Sequence, residues 1–215
     1  MSHLSQFRRL LEESGKDAAI ISDKTNQRYL SCFDFDDGLV LVTRGQSYLI
    51  TDFRYAEAAR AECSRELTVL TPEGGQLVCV AGLLADNGCH TVLTEEQALS
   101  CASFARYTEM LKDFTLEGGA SAMLTELRLI KDEGELETIA RAQAITDAAF
   151  SHILTVLHPE MTEIEVALEL EFFMRRNCAE DIAFSTIAVS GTNSARPHGV
   201  PRRCRLERGF LTMDF

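Results

Sequence analysis

The sequence predicts an α/β domain with a mixed sheet over residues 1–118, followed by an incomplete α+β domain over 119–215. Three observations predict this. Short apolar runs suited to strands alternate with stretches of helical spacing through about residue 115, the pattern of an α/β layer. The pair Gly118-Gly119, within LEGGASA, then interrupts the chain and marks the best boundary. Beyond it the texture changes to long amphipathic helices, followed by two strand-like runs near the end of the sequence.

Each element has a local reason. Residues 4–14 place Leu4, Phe7, Leu10 and Leu11 on one helical face, and Gly15 closes the helix. DAAIIS at 17–22 suits a buried strand. GLVLVTR at 38–44 and QSYLITD at 46–52 read as a hairpin turning at Arg44-Gly45. Residues 53–64 return to helical spacing, and LTVLT at 67–71 is a strand. Residues 76–86 form a helix stopped by Asn87-Gly88, HTVLT at 90–94 is a strand, and a helix lies around 99–112. After the boundary, 127–157 reads as one long helical stretch with Leu136, Ile139, Ala142, Ile145, Ala149, Ile153 and Leu157 as its apolar stripe. His158-Pro159 ends it. Thr162 and Glu165 form a capping box that opens a second helix through about Arg176. FSTIAVS at 184–190 and LTMDF at 211–215 are strands, the latter by its alternation of Leu211 and Met213 with Thr212 and Asp214.

Composition narrows the function classes. The formal net charge of −12 repels phosphate and argues against nucleic acid as a partner. No apolar run is long enough to span a bilayer, and the first fifteen residues lack the pattern of a signal peptide, so a cytoplasmic protein is expected. Seven cysteines, odd in number and without a C-x-x-C pair, argue against a disulfide framework or zinc ribbon. Most are expected to be buried thiols. Arg196, Arg202, Arg203, Arg205 and Arg208 could form an anion site or an interface, but a solvated loop is the simpler expectation.

The stretch richest in chemistry is SGTNSARPHG at 190–199. Gly191 and Gly199 permit close approach or positive φ, Pro197 stiffens the turn that presents His198, and Asn193 and Ser194 can bond local backbone. Asp214 follows on a strand. An imidazole and a carboxylate held this way can share a hydrolytic site. Taken singly, a loop histidine is more often a surface hydrogen-bonder, and a strand-end aspartate more often a turn former.

Five segments, in order, change that balance: TDFRYAEAA (51–59), LRLIKDEGELETIARAQAITDAAF (127–150), MTEIEVALELEFFMRRNCAEDIAF (161–184), TIAVSGTNSARPHG (186–199) and LERGFLTMDF (206–215). Together they resemble the creatinase/prolidase/Xaa-Pro aminopeptidase family, the pita-bread metallopeptidases. The resemblance implies a creatinase-type N-terminal domain and a catalytic domain with two divalent metal ions, manganese foremost and cobalt as a substitute, held by two aspartates, a histidine and two glutamates. It implies proline-containing peptides as substrates and a homodimer. Asp214, in MDF, matches the family's first aspartate ligand. His198, in PHG, matches the histidine that contacts substrate and steadies the tetrahedral intermediate, a catalytic and substrate-binding role. The other ligands lie beyond this sequence, so it is expected to be a fragment of a metal-dependent exopeptidase cleaving Xaa-Pro bonds, inactive and binding no metal stably by itself. Gly209-Phe210 stands where the family has Gly-Asp, which puts turn geometry in question. Two alternatives stay open: a metal-independent creatinase-like hydrolase, and a non-catalytic dimerisation module in which TDFRY is structural, with Asp52 paired to Arg54 and Tyr55 packed. Residues 1–118 are expected to fold alone, and 120–215 to be marginal.

Overall fold

The computed structural model of the protein describes residues 2–215, which fall into two compact units meeting in sequence at Ile130 and Lys131. The first contains a six-stranded mixed sheet in the order β4-β3-β2-β1-β5-β6. Its strands are β1 (Ala18–Ile21), β2 (Gly38–Thr43), β3 (Ser47–Thr51), β4 (Thr68–Leu70), β5 (Thr91–Thr94) and β6 (Thr115–Gly118). The β2–β3 hairpin is antiparallel, with Gly38 opposite Thr51 and Val42 opposite Ser47. β1 runs antiparallel to β2 and parallel to β5, and β6 extends the sheet parallel to β5.

Both faces of this sheet are covered, so its strands read as continuous apolar runs rather than alternating ones. Alternate residues serve the two faces. Ala19, Ile21, Val40, Val42 and Leu49 pack with Phe7 and Leu11 of α1 (His3–Glu13), Leu30 of α2 (Lys24–Ser31), Ala59 of α3 (Phe53–Glu62) and Leu124 of α6 (Ala120–Leu129). Ala18, Ile20, Leu39, Leu41 and Ile50 pack with Leu77, Val80 and Leu84 of α4 (Gln76–Asp86) and Tyr107 of α5 (Cys101–Met110). At Gly38 a Cβ would lie 2.5 Å from the Ile50 carbonyl oxygen and 2.6 Å from the Phe35 ring, so a side chain there would force the hairpin apart.

The second unit pairs α7 (Glu133–Val156) and α8 (Glu163–Arg176) with a two-stranded antiparallel ribbon of β7 (Ile187–Ser190) and β8 (Leu211–Asp214). Ala149 and Ile153 of α7, Val166, Leu170 and Met174 of α8, and Ala188 of β7 form its core. The Thr162–Glu165 capping box is present as expected.

Several elements depart from the sequence reading. α2 and β6 were not anticipated. The stretch 127–157 is not one helix: α6 ends at Leu129 and α7 starts after Asp132, whose carboxylate accepts from the Glu135 amide at 2.9 Å while Glu135 accepts from the Asp132 amide at 2.8 Å. This second capping box was legible as D-x-x-E but was hidden by helical periodicity running across it. The boundary drawn at 118/119 falls at the β6–α6 junction. α6 buries Ala120 and Leu124 in the first unit's core, which therefore continues to Ile130. The apolar stripe of α7 is buried only in part, with Leu136 57% and Ile139 53% exposed. The cysteines also differ: Cys89 alone among them is buried, and all seven are free thiols. Cys32 and Cys178 sit at positive φ where α2 and α8 end, so their side chains leave the core. No described helix is long and apolar enough to cross a membrane.

If α6 completes the first unit, Leu124→Ala should cost about 2–5 kcal/mol, the usual range for a buried leucine. The four tyrosines all lie before residue 118, so their fluorescence in urea reports this unit. Residues 1–130 should unfold cooperatively and 1–118 should not. Equal stability of the two pieces would return the boundary to 118.

Candidate active site

The second unit is organised around a buried acid. Glu163, the first residue of α8, is 0% exposed. One carboxylate oxygen accepts from the Ser190 amide (2.7 Å), the Ser190 hydroxyl (3.0 Å) and Arg202 Nη2 (3.0 Å). The other accepts from Asn193 Nδ2 (3.1 Å), the Arg202 amide (2.9 Å) and Arg202 Nε (3.0 Å). Burial alone would push this carboxyl up. The Arg202 fork and the surrounding amides outweigh that and hold it at about 2. One side chain thereby ties together the start of α8, the end of β7 and both sides of the loop 190–202.

The loop follows from these ties. Gly191 begins a short 3-10 helix (Gly191–Ala195) at φ 54°, and a Cβ there would lie 2.2 Å from Glu207 Oε2. Asn193 also donates to the Val200 carbonyl at 3.2 Å, and Ser194 donates to the Gly191 carbonyl at 2.6 Å, so both bond local backbone as expected. The Gly199 amide then donates to the Arg196 carbonyl at 3.1 Å. That closes a turn with Pro197 and His198 at its centre, and proline is favoured at the first central position. Gly199 is buried, and a Cβ there would meet both Val189 methyls at 3.2 Å. His198 is therefore displayed from a braced turn.

β8 supplies the second group. Its register sets Asp214 opposite Ile187. Asp214 and His198 both line one cleft of about 570 Å³, together with Thr186, Ile187, Gly199 and Val200. Neither the carboxylate nor the imidazole makes a hydrogen bond or ion pair with the described residues, so both are free for a ligand. An unspent carboxylate beside an imidazole suits a divalent cation's donor set, though one carboxylate fills a small part of a two-metal site. Thr186 is 4% exposed, and its Oγ1 is buried without a hydrogen-bond partner.

Two of the five arginines in the cluster are spent on acids. Arg202 pairs with Glu163 and Glu207, and Arg205 with Glu160. Sequence reasoning missed Glu163 and Thr186. Glu163 looked like an ordinary first-turn acid, and the available signal was Arg202 in a loop expected to be solvated. In the first unit, TDFRY is structural as anticipated. Asp52 caps α3, accepts from the Arg54 amide at 2.8 Å and pairs with the Arg54 guanidinium, which also binds Asp37. Tyr55 donates to Asp36 at 3.1 Å and lies under Arg54, 5.7 Å from guanidinium carbon to ring centre.

The second unit is thus a helix pair with a two-stranded ribbon, Asp214 on β8 and His198 on the loop between β7 and β8. Residues 3–130 match the model for the creatinase/prolidase N-terminal domain, and residues 137–215 match metallopeptidase family M24. The chain belongs to the creatinase/prolidase/Xaa-Pro aminopeptidase family of pita-bread metallopeptidases. It is 34% identical over 213 residues to an uncharacterized peptidase, YqhT, of Bacillus subtilis, covering 99% of this chain and 60% of that one. An Xaa-Pro dipeptidase structure from Bacillus anthracis superposes with a TM-score of 0.91 at 33% identity, covering 98% of this chain and 59% of the other. An X-Pro aminopeptidase from Thermotoga maritima gives a TM-score of 0.87 at 32% identity, with 97% and 60% covered. The chain thus spans about 60% of the length of these relatives.

The sign of the Glu163 pKa gives a test. The carboxyl is held at about 2 against an ordinary 4.5, so its stabilisation is complete above about pH 4.5 and is lost as pH falls towards 2. The amount is on the order of 3 kcal/mol. Hydrogen exchange across 187–200 should show the loop loosening over that window. Glu163→Gln should loosen it already at pH 6 and flatten the profile. Identical pH profiles for the two proteins would refute the assignment.

Proposed function

We propose that this chain supplies the N-terminal domain and the first part of the catalytic domain of a metal-dependent exopeptidase that hydrolyses Xaa-Pro bonds. The observation that carries the reading is the unspent pair His198 and Asp214 on one cleft, in the segment matched to metallopeptidase family M24. Names of the similar structures, an Xaa-Pro dipeptidase and an X-Pro aminopeptidase, support the substrate class.

In this reading Asp214 contributes carboxylate oxygens to a divalent metal pair, manganese or cobalt. When bound, such a pair polarises a carbonyl and activates water. His198 donates a hydrogen bond to the oxygen of the scissile carbonyl as charge develops there, which is where a fixed donor is most effective. The Arg196–Gly199 turn fixes its direction, and the Glu163–Arg202 pair fixes the turn. The apolar part of the cleft, Ile187 and Val200, packs against the substrate's side chain. A homodimer in the cytoplasm is the setting the family resemblance implies.

The test compares the 215-residue chain with the product of the gene's complete reading frame, using an Xaa-Pro dipeptide with and without manganese. The complete product should release proline only with metal. Asp214→Asn should reduce this to background, and His198→Ala should lower kcat by about 10²–10³. The 215-residue chain should show no turnover. Hydrolysis that survives chelation would favour the metal-independent creatinase-like alternative.

A further inference from the structure

The first unit brings together two cysteines that are far apart in sequence. Cys32 ends α2 and Cys63 ends α3. The Ser64 amide donates to the Ser31 carbonyl at 2.7 Å, so the two helix ends meet backbone to backbone. Cys32 directly follows that carbonyl, and Cys63 directly precedes that amide. Their backbones are thus joined by one short hydrogen bond, the scale a disulfide spans, about 4.4–6.8 Å between Cα atoms.

Both backbones are braced. The Ser31 hydroxyl donates to the Phe33 carbonyl at 3.0 Å and accepts from the Phe33 amide at 3.1 Å, which fixes the chain around Cys32. The Cys32 amide donates to the Arg28 carbonyl, and the Cys63 amide to the Ala59 carbonyl, each closing the last turn of its helix. What stays free at each position is the rotation about χ1 that carries Sγ.

The two thiols are not alike. Cys32, at φ 58°, is exposed. Cys63 is half-buried against the sheet face that packs with α1, its Sγ 3.6 Å from the Ser64 carbonyl oxygen. Burial pushes the Cys63 thiol up, and the charge of the neighbouring Cys32 adds to this, an effect that only a nearby sulfur exerts. Cys79 and Cys89 pack on the opposite face, so the sheet separates them from this pair.

We propose that Cys32 and Cys63 form a reversible disulfide by exchange with a low-molecular-weight disulfide of the glutathione class, clasping the end of α2 to the end of α3. The Cys32 thiolate attacks one sulfur of the small disulfide. That S–S bond breaks, a mixed disulfide forms at Cys32, and one small thiol leaves and takes up a proton. Cys63, deprotonated in turn, attacks Cys32 Sγ and releases the second small thiol. Two protein thiols lose two electrons, and the small disulfide gains them as two thiols. The order follows from exposure: Cys32 meets the reagent first, and Cys63 resolves the adduct. The bond closes a loop over 33–62 that contains the β2–β3 hairpin and α3, so it restricts the unfolded chain and stabilises this unit. The pair lies wholly within the first unit and does not depend on the peptidase reading.

Oxidised glutathione added to the folded 215-residue chain should yield, on digestion without reduction, one linked peptide pair containing Cys32 and Cys63, which dithiothreitol separates. Cys63→Ser should stop at a glutathione adduct on Cys32, and Cys32→Ser should leave Cys63 unmodified. The tyrosine-fluorescence midpoint in urea should rise by about 1 M in the linked chain and stay put in oxidised Cys63→Ser. An unmodified Cys32, a lasting glutathione adduct there with Cys63 still free, or linkage of either cysteine to another partner would overturn the pair. An unchanged urea midpoint in the linked chain would overturn the clasp.

Discussion

The second unit depends on a single charged contact, the Glu163 carboxylate inside its cage of donors. Removing a carboxylate from water costs several kcal/mol, which only a well-placed opposite charge and saturated lone pairs offset. Glu163 has both. Arg202 meets it with Nε on one oxygen and Nη2 on the other, and Ser190, Asn193 and the Arg202 backbone complete the shell. Its place at the first turn of α8 adds the favourable field of a helix N-terminus. Those donors come from β7, the 3-10 helix and the far side of the loop, so satisfying the charge and shaping the loop are one event. His198 lies between them in sequence and inherits the result.

The first unit shows how much the guanidinium matters. Glu95 is also 0% exposed and also capped by backbone and amide donors, from Ser22, Asp23 and Asn26. Among the described residues no cation touches it. Burial therefore wins and holds its carboxyl above the ordinary value, whereas Glu163 falls to about 2. The comparison separates two terms usually seen together. Neutral donors reduce the cost of burying an acid, and a fork-shaped cation reverses its sign. Glu95 joins β5 to the start of α2 much as Glu163 joins α8 to its loop, and this long-range link helps explain why α2 escaped the sequence reading. Residues 24–31, KTNQRYLS, bury a single large apolar residue, Leu30, with Tyr29 only partly buried against the core, too little for periodicity to register.

Most of the sheet was legible because its signal is local. Four-residue apolar runs such as AAII and TVLT fit few structures other than buried strands, and the hairpin announced itself by its turn. What was not legible arises from distance or from competing signals. β6, TLEG, is a strand only because β5 offers it a parallel edge. The break between α6 and α7 is set by Asp132 and Glu135, two residues whose capping chemistry competes with an unbroken helical period. Cys32 and Cys178 look like core residues by type and lie outside it because the chain turns through positive φ there. For the site, the Pro197-His198-Gly199 turn could be read from sequence, and the assignment of His198 and Asp214 rested on resemblance. Their shared cleft required the register of β7 on β8, and Glu163 required knowing that Arg202 returns to α8.

Burial is scarce in the second unit, and local chemistry substitutes for it. Leu136, Ile139, Phe150, Leu154, Leu168 and Phe172 are all more than two-fifths exposed. Its two long helices instead each begin with a complete capping box, worth about 1 kcal/mol for the cap alone. The Glu163 cage adds an interaction whose size rivals burying a large apolar side chain. A unit stabilised this way holds its loop by charge more than by packing. Its order should then be insensitive to small volume changes along the exposed face of α7, and sensitive to any change that alters the charge of Glu163 or Arg202. The same logic explains why Gly191 and Gly199 flank the Pro197–His198 turn. With the loop drawn tightly around the carboxylate, Glu207 leaves no room for a side chain at Gly191, and Val189 leaves little at Gly199.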